Sequence, residues 1–227
     1  MLVDAYPAGP LAANCYVVAP AAGAECVVID PGQDASRGLA ELLTRHDLTP
    51  AAVLLTHGHF DHVMSAAHTC AAYSVPVCVH PEDRELLTDP AKGLDPALAG
   101  QLSALLGDVD MREPADVTEI ADGDALPYAG LEITVAHAPG HTPGSVAYAV
   151  SAETERTPAL FTGDLLFAGG IGRTDFPGGD HAAILRSLRD TCLSRPDDTV
   201  VHPGHGPQST VGRERATNPF LQEIAAS

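Results

Sequence analysis

The stretch Thr56-His57-Gly58-His59-Phe60-Asp61-His62 sets three imidazoles and a carboxylate within six residues, directly after an apolar run. Imidazole nitrogen and carboxylate oxygen together suit zinc, iron or manganese. In an extended loop, residues two apart project to the same side. His57, His59 and Asp61 can therefore face one point. His62, at the start of the helix that follows, aims at a neighbouring point, so the spacing predicts two adjacent metals.

Three later stretches repeat the arrangement of strand, turn and ligand-type residue. The run 133–136 leads to Pro139-Gly140-His141-Thr142, the run 159–161 to Thr162-Gly163-Asp164, and the pair 200–201 to Gly204-His205. Ligands at the ends of adjacent strands converge on one sheet edge, where loops carry chemistry on a rigid scaffold.

The elements that must deliver these loops are legible from periodicity and turn residues. Strands are predicted over 15–19 and 26–30, closed by Pro31-Gly32, and a helix over 34–46 with Leu39, Leu42 and Leu43 on one face. A buried strand over 52–55 delivers the histidine loop, a helix over 63–73 leaves it, and a strand follows at 77–79. This alternation predicts α/β packing with helices outside a sheet. Residues 81–112 are broken by Asp89-Pro90, Lys92-Gly93 and Asp95-Pro96 into a short helix, a loop and a leucine-rich helical stretch, an expected insertion over one face. Beyond it come strands over 117–120, 131–136, 145–150 and 159–161. A helix over 180–191 has Asp180 as its N-cap, and a strand over 199–201 precedes a short helical tail. With no linker, low-complexity tract or short repeat, residues 1–227 are expected to form a single domain.

Composition narrows the function. The formal charge is −18, from 12 basic against 30 acidic residues, and no basic stripe is present. A nucleic-acid partner is thereby not expected, because phosphate-backbone binding rests on clustered Lys and Arg. Cys15, Cys26, Cys70, Cys78 and Cys192 are odd in number, scattered, and never spaced as Cys-x-x-Cys. This signals neither a disulfide framework nor a thiolate zinc site, and implies buried thiols in a reducing cytosol. The first eight residues lack the pattern of a signal peptide and no apolar run reaches membrane-spanning length, so a soluble cytoplasmic chain without a membrane partner is expected.

The set His-x-His-x-Asp-His, a distant His, Gly-Asp and a late Gly-His resembles the metallo-β-lactamase fold superfamily. Within it, Asn14-Cys15-Tyr16, the segment 140–145, the segment 163–167 and Gly172-Arg173 resemble the glyoxalase II (hydroxyacylglutathione hydrolase) group, and the closing segments 202–207 and 218–221 its short single-domain bacterial members. The resemblance, over residues 14–206, implies a four-layer αββα sandwich with a binuclear site at one edge. It implies that His57, His59 and His141 hold one divalent ion, that Asp61, His62 and His205 hold the other, and that Asp164 bridges them. Zinc is the foremost expectation, with iron and manganese served by the same donors. The larger glyoxalase II enzymes add a helical domain that helps grip glutathione, and no counterpart is expected after His205, which leaves the carrier thiol open. Residues 172–176 also resemble persulfide dioxygenases, in which one iron sits at positions matching His57, His141 and Asp164. Antibiotic hydrolysis is expected to be remote, because the β-lactamases use other residues where Asp164 stands.

The chemistry expected is hydrolysis of a small-molecule thioester, S-lactoylglutathione or an analogous acyl thiol, to a hydroxy acid and a free thiol. Two adjacent divalent ions bring a shared water from a pKa of about 15.7 toward about 7. Asp61 and Asp164 are the catalytic carboxylates, Asp61 orienting the hydroxide. A thiol leaving group of pKa about 8.5 requires no strong general acid. Arg173 is placed to hold a carboxylate of the carrier bidentately, with Phe60 and Phe176 as pocket walls. The alternatives are an iron-dependent persulfide dioxygenase, a lactonase, and a metal-binding protein without turnover. His46, His68 and His80 are expected not to bind metal, His137 and His202 to pack or brace near ligands, and His181 to lie on the surface.

Overall fold

The computed structural model describes residues 1–100, 111–152 and 159–226. Strands β1 (Leu2–Ala8), β2 (Ala13–Ala19), β3 (Glu25–Ile29), β4 (Thr49–Leu54), β5 (Val77–Val79) and β6 (Val117–Glu119) form one sheet in chain order. Its first two pairings are antiparallel and the remaining three parallel. Parallel neighbours need a crossover, and α1 (Ala35–His46) supplies it between β3 and β4. Between β4 and β5 run a one-turn helix α2 (Phe60–Val63) and α3 (Ala66–Tyr73). Further along, β7 (Ala125–Leu126), β8 (Glu132–His137), β9 (Val146–Ser151), β10 (Ala159–Gly163), β13 (Val200–Pro203) and β14 (Ser209–Thr210) make a second sheet in the order β14-β13-β10-β9-β8-β7. A small ribbon, β11 (Leu166–Phe167) with β12 (Gly170–Ile171), falls between β10 and β13 in sequence. Helix α4 (His181–Ser187) runs on through wider π-type turns at Leu188–Leu193, and α5 (Val211–Thr217) and α6 (Pro219–Ala226) close the chain.

The period-two alternation of a strand decides which side chain enters which layer. In β2 every residue is buried. Cys15, Val17 and Ala19 face Leu39, Leu42, Leu43 and Cys70 of α1 and α3. Tyr16 and Val18 face the other way, and with Val27, Ile29 and Leu54 they meet Ile133, Val135, Tyr148, Val150 and Phe161 of the second sheet. That sheet turns Ala147, Ala149, Leu160 and Val201 toward Ile184, Leu188, Val211 and Leu221 of the C-terminal helices. Three apolar seams in series mean four layers, helix, sheet, sheet and helix, as the αββα expectation requires.

Several expectations are refined. The helix over 63–73 is split: α2 ends at Val63, and the Ser65 N–H bonds the Pro31 carbonyl at 3.0 Å instead of a helical carbonyl. His62 therefore sits inside a separate single turn. Asp180 caps α4 through a side-chain bond from the Ala183 N–H at 2.9 Å, whereas Asp34 lies at φ 56° before α1 and makes no side-chain cap. The described part of 81–112 holds two 3₁₀ segments, Pro81–Leu87 and Pro90–Gly93, and helical residues over 96–100 that begin the expected leucine-rich helix, with Asp83, Leu86, Leu87 and Leu94 buried. The leucine-rich helical stretch falls mostly on residues 101–110, outside the described residues. Strands β1, β7, β11, β12 and β14 were not predicted; all but β1 span two residues, too short for alternation to register.

Candidate metal centre

Four strands deliver the predicted ligands. His57 follows β4, His141 follows β8, Asp164 follows β10 and His205 follows β13, so donors from both sheets meet at one edge of the sandwich. Backbone bonds hold the edge together: Val146 N–H to the Thr56 carbonyl at 2.7 Å, Gly204 N–H to the Gly163 carbonyl at 2.8 Å, and Asn14 N–H to the Gly204 carbonyl at 2.7 Å. The Asn14 side chain adds bonds of 2.9 Å each to the Pro203 and Gly206 carbonyls. The His205 turn is thereby locked to β2.

The structure brings every predicted metal-site residue into two contiguous groups. His57, His59 and His141 each present one ring nitrogen to a common point, and Asp61, His62 and His205 do so with one carboxylate oxygen and two ring nitrogens. His59 Nδ1 is 2.8 Å from His141 Nε2, and His62 Nε2 is 3.2 Å from His205 Nε2. His205 Nε2 lies 3.3 Å from Asp61 Oδ2. Asp164 reaches both groups, at 3.4 Å from His62 Nε2, 3.5 Å from His141 Nε2 and 3.7 Å from His205 Nε2.

The imidazoles are oriented from behind, as ligating histidines commonly are. Nδ1–H of His141 donates to the Arg173 carbonyl at 2.8 Å, which turns Nε2 toward the cluster. His62 Nδ1 bonds Asp30 Oδ2 at 2.9 Å. That buried carboxylate also accepts from the Thr56 N–H at 2.8 Å and the Thr56 hydroxyl at 2.6 Å, and Thr56 Oγ1 in turn sits 3.0 Å from His57 Nδ1. A second buried carboxylate, Asp83, accepts from Gly58 N–H at 2.8 Å, Gly144 N–H at 2.7 Å and the Thr142 hydroxyl at 2.6 Å. It ties the His57–His59 loop to the His141 loop. The sequence reading missed both carboxylates; for Asp30 a signal existed, an acid at a strand end before Pro-Gly, while Asp83 is marked by tertiary contact alone. Gly204 is required by close approach, because a Cβ there would overlap Asp164 Oδ1 and lie 2.8 Å from His62 Cε1.

The residues fit a divalent pair. His57 Nε2, His59 Nε2 and Asp164 Oδ1 are buried without a hydrogen-bond partner, a costly condition that a cation relieves at His57 and Asp164. Burial, reinforced by neighbouring imidazoles, drives His57 far below its usual pKa and takes His59 to about 3, and burial takes His141 to about 4. Those three rings are neutral and available as ligands. At His62 burial pulls the same way, but the carboxylates of Asp61, Asp164 and Asp30 outweigh it and raise the ring to about 10. His205 is also raised: burial opposes, and Asp61 and Asp164 prevail. The second group is an anionic pocket that demands positive charge, which a divalent ion supplies.

Above the donors lies a cavity of about 510 Å³. Phe60 and Phe176 line it as predicted, together with Leu11, Leu94, Leu98 and Arg173. Leu94 and Leu98 come from the irregular segment, which the sequence reading did not connect with the site. Of the remaining histidines, His46 pairs with Asp4 at 2.7 Å, and His202 stacks on Phe161 at 4.6 Å between centroids. His137 bonds the Pro143 carbonyl at 2.8 Å and stacks on His80 at 4.1 Å, bracing the His141 turn. His80, Glu82 and His137 also form a half-exposed donor group large enough for an ion.

Comparison with known proteins agrees with this geometry. The family model described as "Metallo-beta-lactamase superfamily" matches residues 8–205. The chain is 38% identical over 194 residues to the hydroxyacylglutathione hydrolase GloC of Haemophilus influenzae, covering 86% of each. Among solved structures it is similar to the BLEG-1 B3 metallo-beta-lactamase, with TM-score 0.82 and 39% identity over 97% of this chain and 99% of that one. It is also similar to TTHA1623 in a di-iron-bound form, with TM-score 0.74 and 40% identity over 94% and 97%.

Proposed function

The chain belongs to the metallo-beta-lactamase superfamily, and from that premise we propose that it is a binuclear metallohydrolase cleaving thioesters to a carboxylic acid and a free thiol. Asp164 carries the reading. One carboxylate within 3.4–3.7 Å of rings from both donor groups is placed to serve two ions at once. The thioester is supported by the 38% identity to a hydroxyacylglutathione hydrolase, and the paired metals by the likeness to a di-iron form. The same donors accept zinc, iron or manganese.

Two divalent ions held there would supply Lewis acidity at the carbonyl and a water of pKa near about 7. Around them, Asp61, whose carboxylate the His62 and His205 rings hold ionised against burial, accepts a hydrogen from the attacking water and aims it. Phe60, Phe176 and Leu94 keep bulk water off the acyl carbon. The C–S bond breaks as the C–O bond forms, and the thiolate, with a parent pKa of about 8.5, leaves unaided and takes its proton from solvent. The five buried free thiols suit a reducing compartment, and we place the enzyme in the cytoplasm.

The likeness to BLEG-1 favours a second reading, attack on a β-lactam carbonyl by the same centre. Metal content of purified protein, thiol release from S-D-lactoylglutathione and other lactoyl thioesters, opening of a chromogenic cephalosporin, and oxygen uptake on glutathione persulfide separate the possibilities. About two metals per chain with thiol release are expected. Cephalosporin opening without thioester cleavage would establish the second reading, and one iron per chain with oxygen uptake would replace both with a persulfide dioxygenase.

A further inference from the structure

The cavity over the metal centre has an uneven electrostatic lining. Among the described residues Arg173 is the sole Lys or Arg on it, and its guanidinium is already engaged. Nε donates to Asp175 Oδ1 at 2.7 Å and Nη2 to Oδ2 at 2.8 Å, the parallel two-point geometry a substrate carboxylate would need. Its Cζ lies over the Phe176 ring, 3.5 Å from the centroid, so the ring occupies one face of the group. Asp95 adds a second negative field at the same guanidinium. The guanidinium at this cavity is therefore already paired, on a chain of net charge −18.

The rest of the mouth is apolar. Leu11 and Leu98 are 52% and 39% exposed, and they are two of the four large hydrophobic side chains exposed among the described residues. Both face this cavity, beside Leu94 and Phe60. Exposed aliphatic groups gathered at a concave site mark what is bound there, whereas the same groups scattered singly would mean nothing.

We infer that the site selects thioesters whose carrier is uncharged and apolar where it leaves the cavity, and that Asp175 sets this preference by holding the Arg173 fork away from carboxylate-bearing carriers. The inference rests on the thioesterase reading and narrows its substrate class. Asp175 acts by exclusion: an anionic carrier must break the bidentate pair to reach the Arg173 fork, whereas a neutral carrier meets leucine and phenylalanine.

The test compares two thioesters with the same D-lactoyl group, one on glutathione with its two free carboxylates and one on neutral N-acetylcysteamine, using metal-replete protein. Wild type is expected to favour the neutral ester in kcat/KM. In Asp175→Ala the ratio of glutathione to neutral ester should rise about fivefold, the upper end for one exposed charge pair, mainly through KM. The double variant with Arg173→Ala should lose that gain, since the released cation is then gone. A wild type that prefers the glutathione ester, or a ratio unmoved in Asp175→Ala, would overturn the inference while leaving the thioesterase intact. Turnover of neither ester by protein holding two metals would overturn both.

Discussion

Asp83 is the group through which folding and metal binding are most directly coupled. Its fully buried carboxylate accepts three hydrogen bonds, two on Oδ2 from Gly58 and Thr142 and one on Oδ1 from Gly144. In Asp83→Asn the remaining oxygen can keep the Gly58 and Thr142 bonds, but the amide then faces the Gly144 N–H donor to donor. Each buried donor left unsatisfied costs about 1–3 kcal/mol, so the asparagine variant should lose about that amount. Asp83→Ala orphans the Gly58 and Gly144 N–H groups while the Thr142 hydroxyl can turn to Ser145 Oγ at 2.7 Å, and at about 1–3 kcal/mol per buried donor a loss of about 3–5 kcal/mol is expected. For a chain of this size, about 2–4 °C per kcal/mol makes that about 6–20 °C in Tm. Because Gly58 lies between His57 and His59 and Thr142 follows His141, the same change should weaken metal binding about 10–100-fold. Burial holds the Asp83 pKa above its usual value, so part of the hydrogen-bond gain is already spent on desolvation, and the asparagine variant should be the milder one. Circular-dichroism melts of metal-free protein and chelator competition of the loaded form measure the two effects separately. An alanine variant melting within about 1 °C of wild type and binding metal as tightly would refute the reasoning from unsatisfied donors.

Asp164→Asn removes a charge that faces both donor groups, and the expected outcome is a fall from two metals per chain to one or none by elemental analysis; full retention would remove its bridging role. Gly204→Ala puts a methyl onto Asp164 Oδ1 and His62, and should displace the carboxylate, with metal lost at little change in far-UV circular dichroism. His202, held neutral by burial with a pKa lowered from 6.5 to about 4, receives the Gln208 amide on Nδ1. Below pH 6.5 the unfolded chain binds a proton that the folded one refuses, so stability should fall between pH 6.5 and about 4, by up to about 3 kcal/mol from this group. Urea midpoints of metal-free wild type and His202→Leu should therefore converge as pH drops through that window, and a constant gap would argue against a neutral buried ring.

Much of this protein is written locally. The density of imidazole in residues 57–62, the recurrence of a ligand-type residue after an apolar run, and the placement of turns at Gly and Pro are properties of short segments, so donors and strands were legible together. The Asp180 cap and the leucine face of α1 belong to the same class, because capping and helical periodicity act within a few residues. The break in the helix over 63–73 was not legible, since the competing acceptor is the Pro31 carbonyl, more than thirty residues away. Only the packed sandwich puts Asp30 behind His62, Asp83 between two ligand loops, and Leu94 and Leu98 over the centre. The same holds for Arg173: its position marked a pocket residue, but whether its fork was open or already filled depended on how the turn through Asp175 and Phe176 folds back on it. Residue types and spacing determine which chemistry is possible, because coordination and proton affinity are properties of side chains. Tertiary structure decides which groups are oriented, paired or left unsatisfied, because those depend on distances that a chain acquires only when its sheets close on one another.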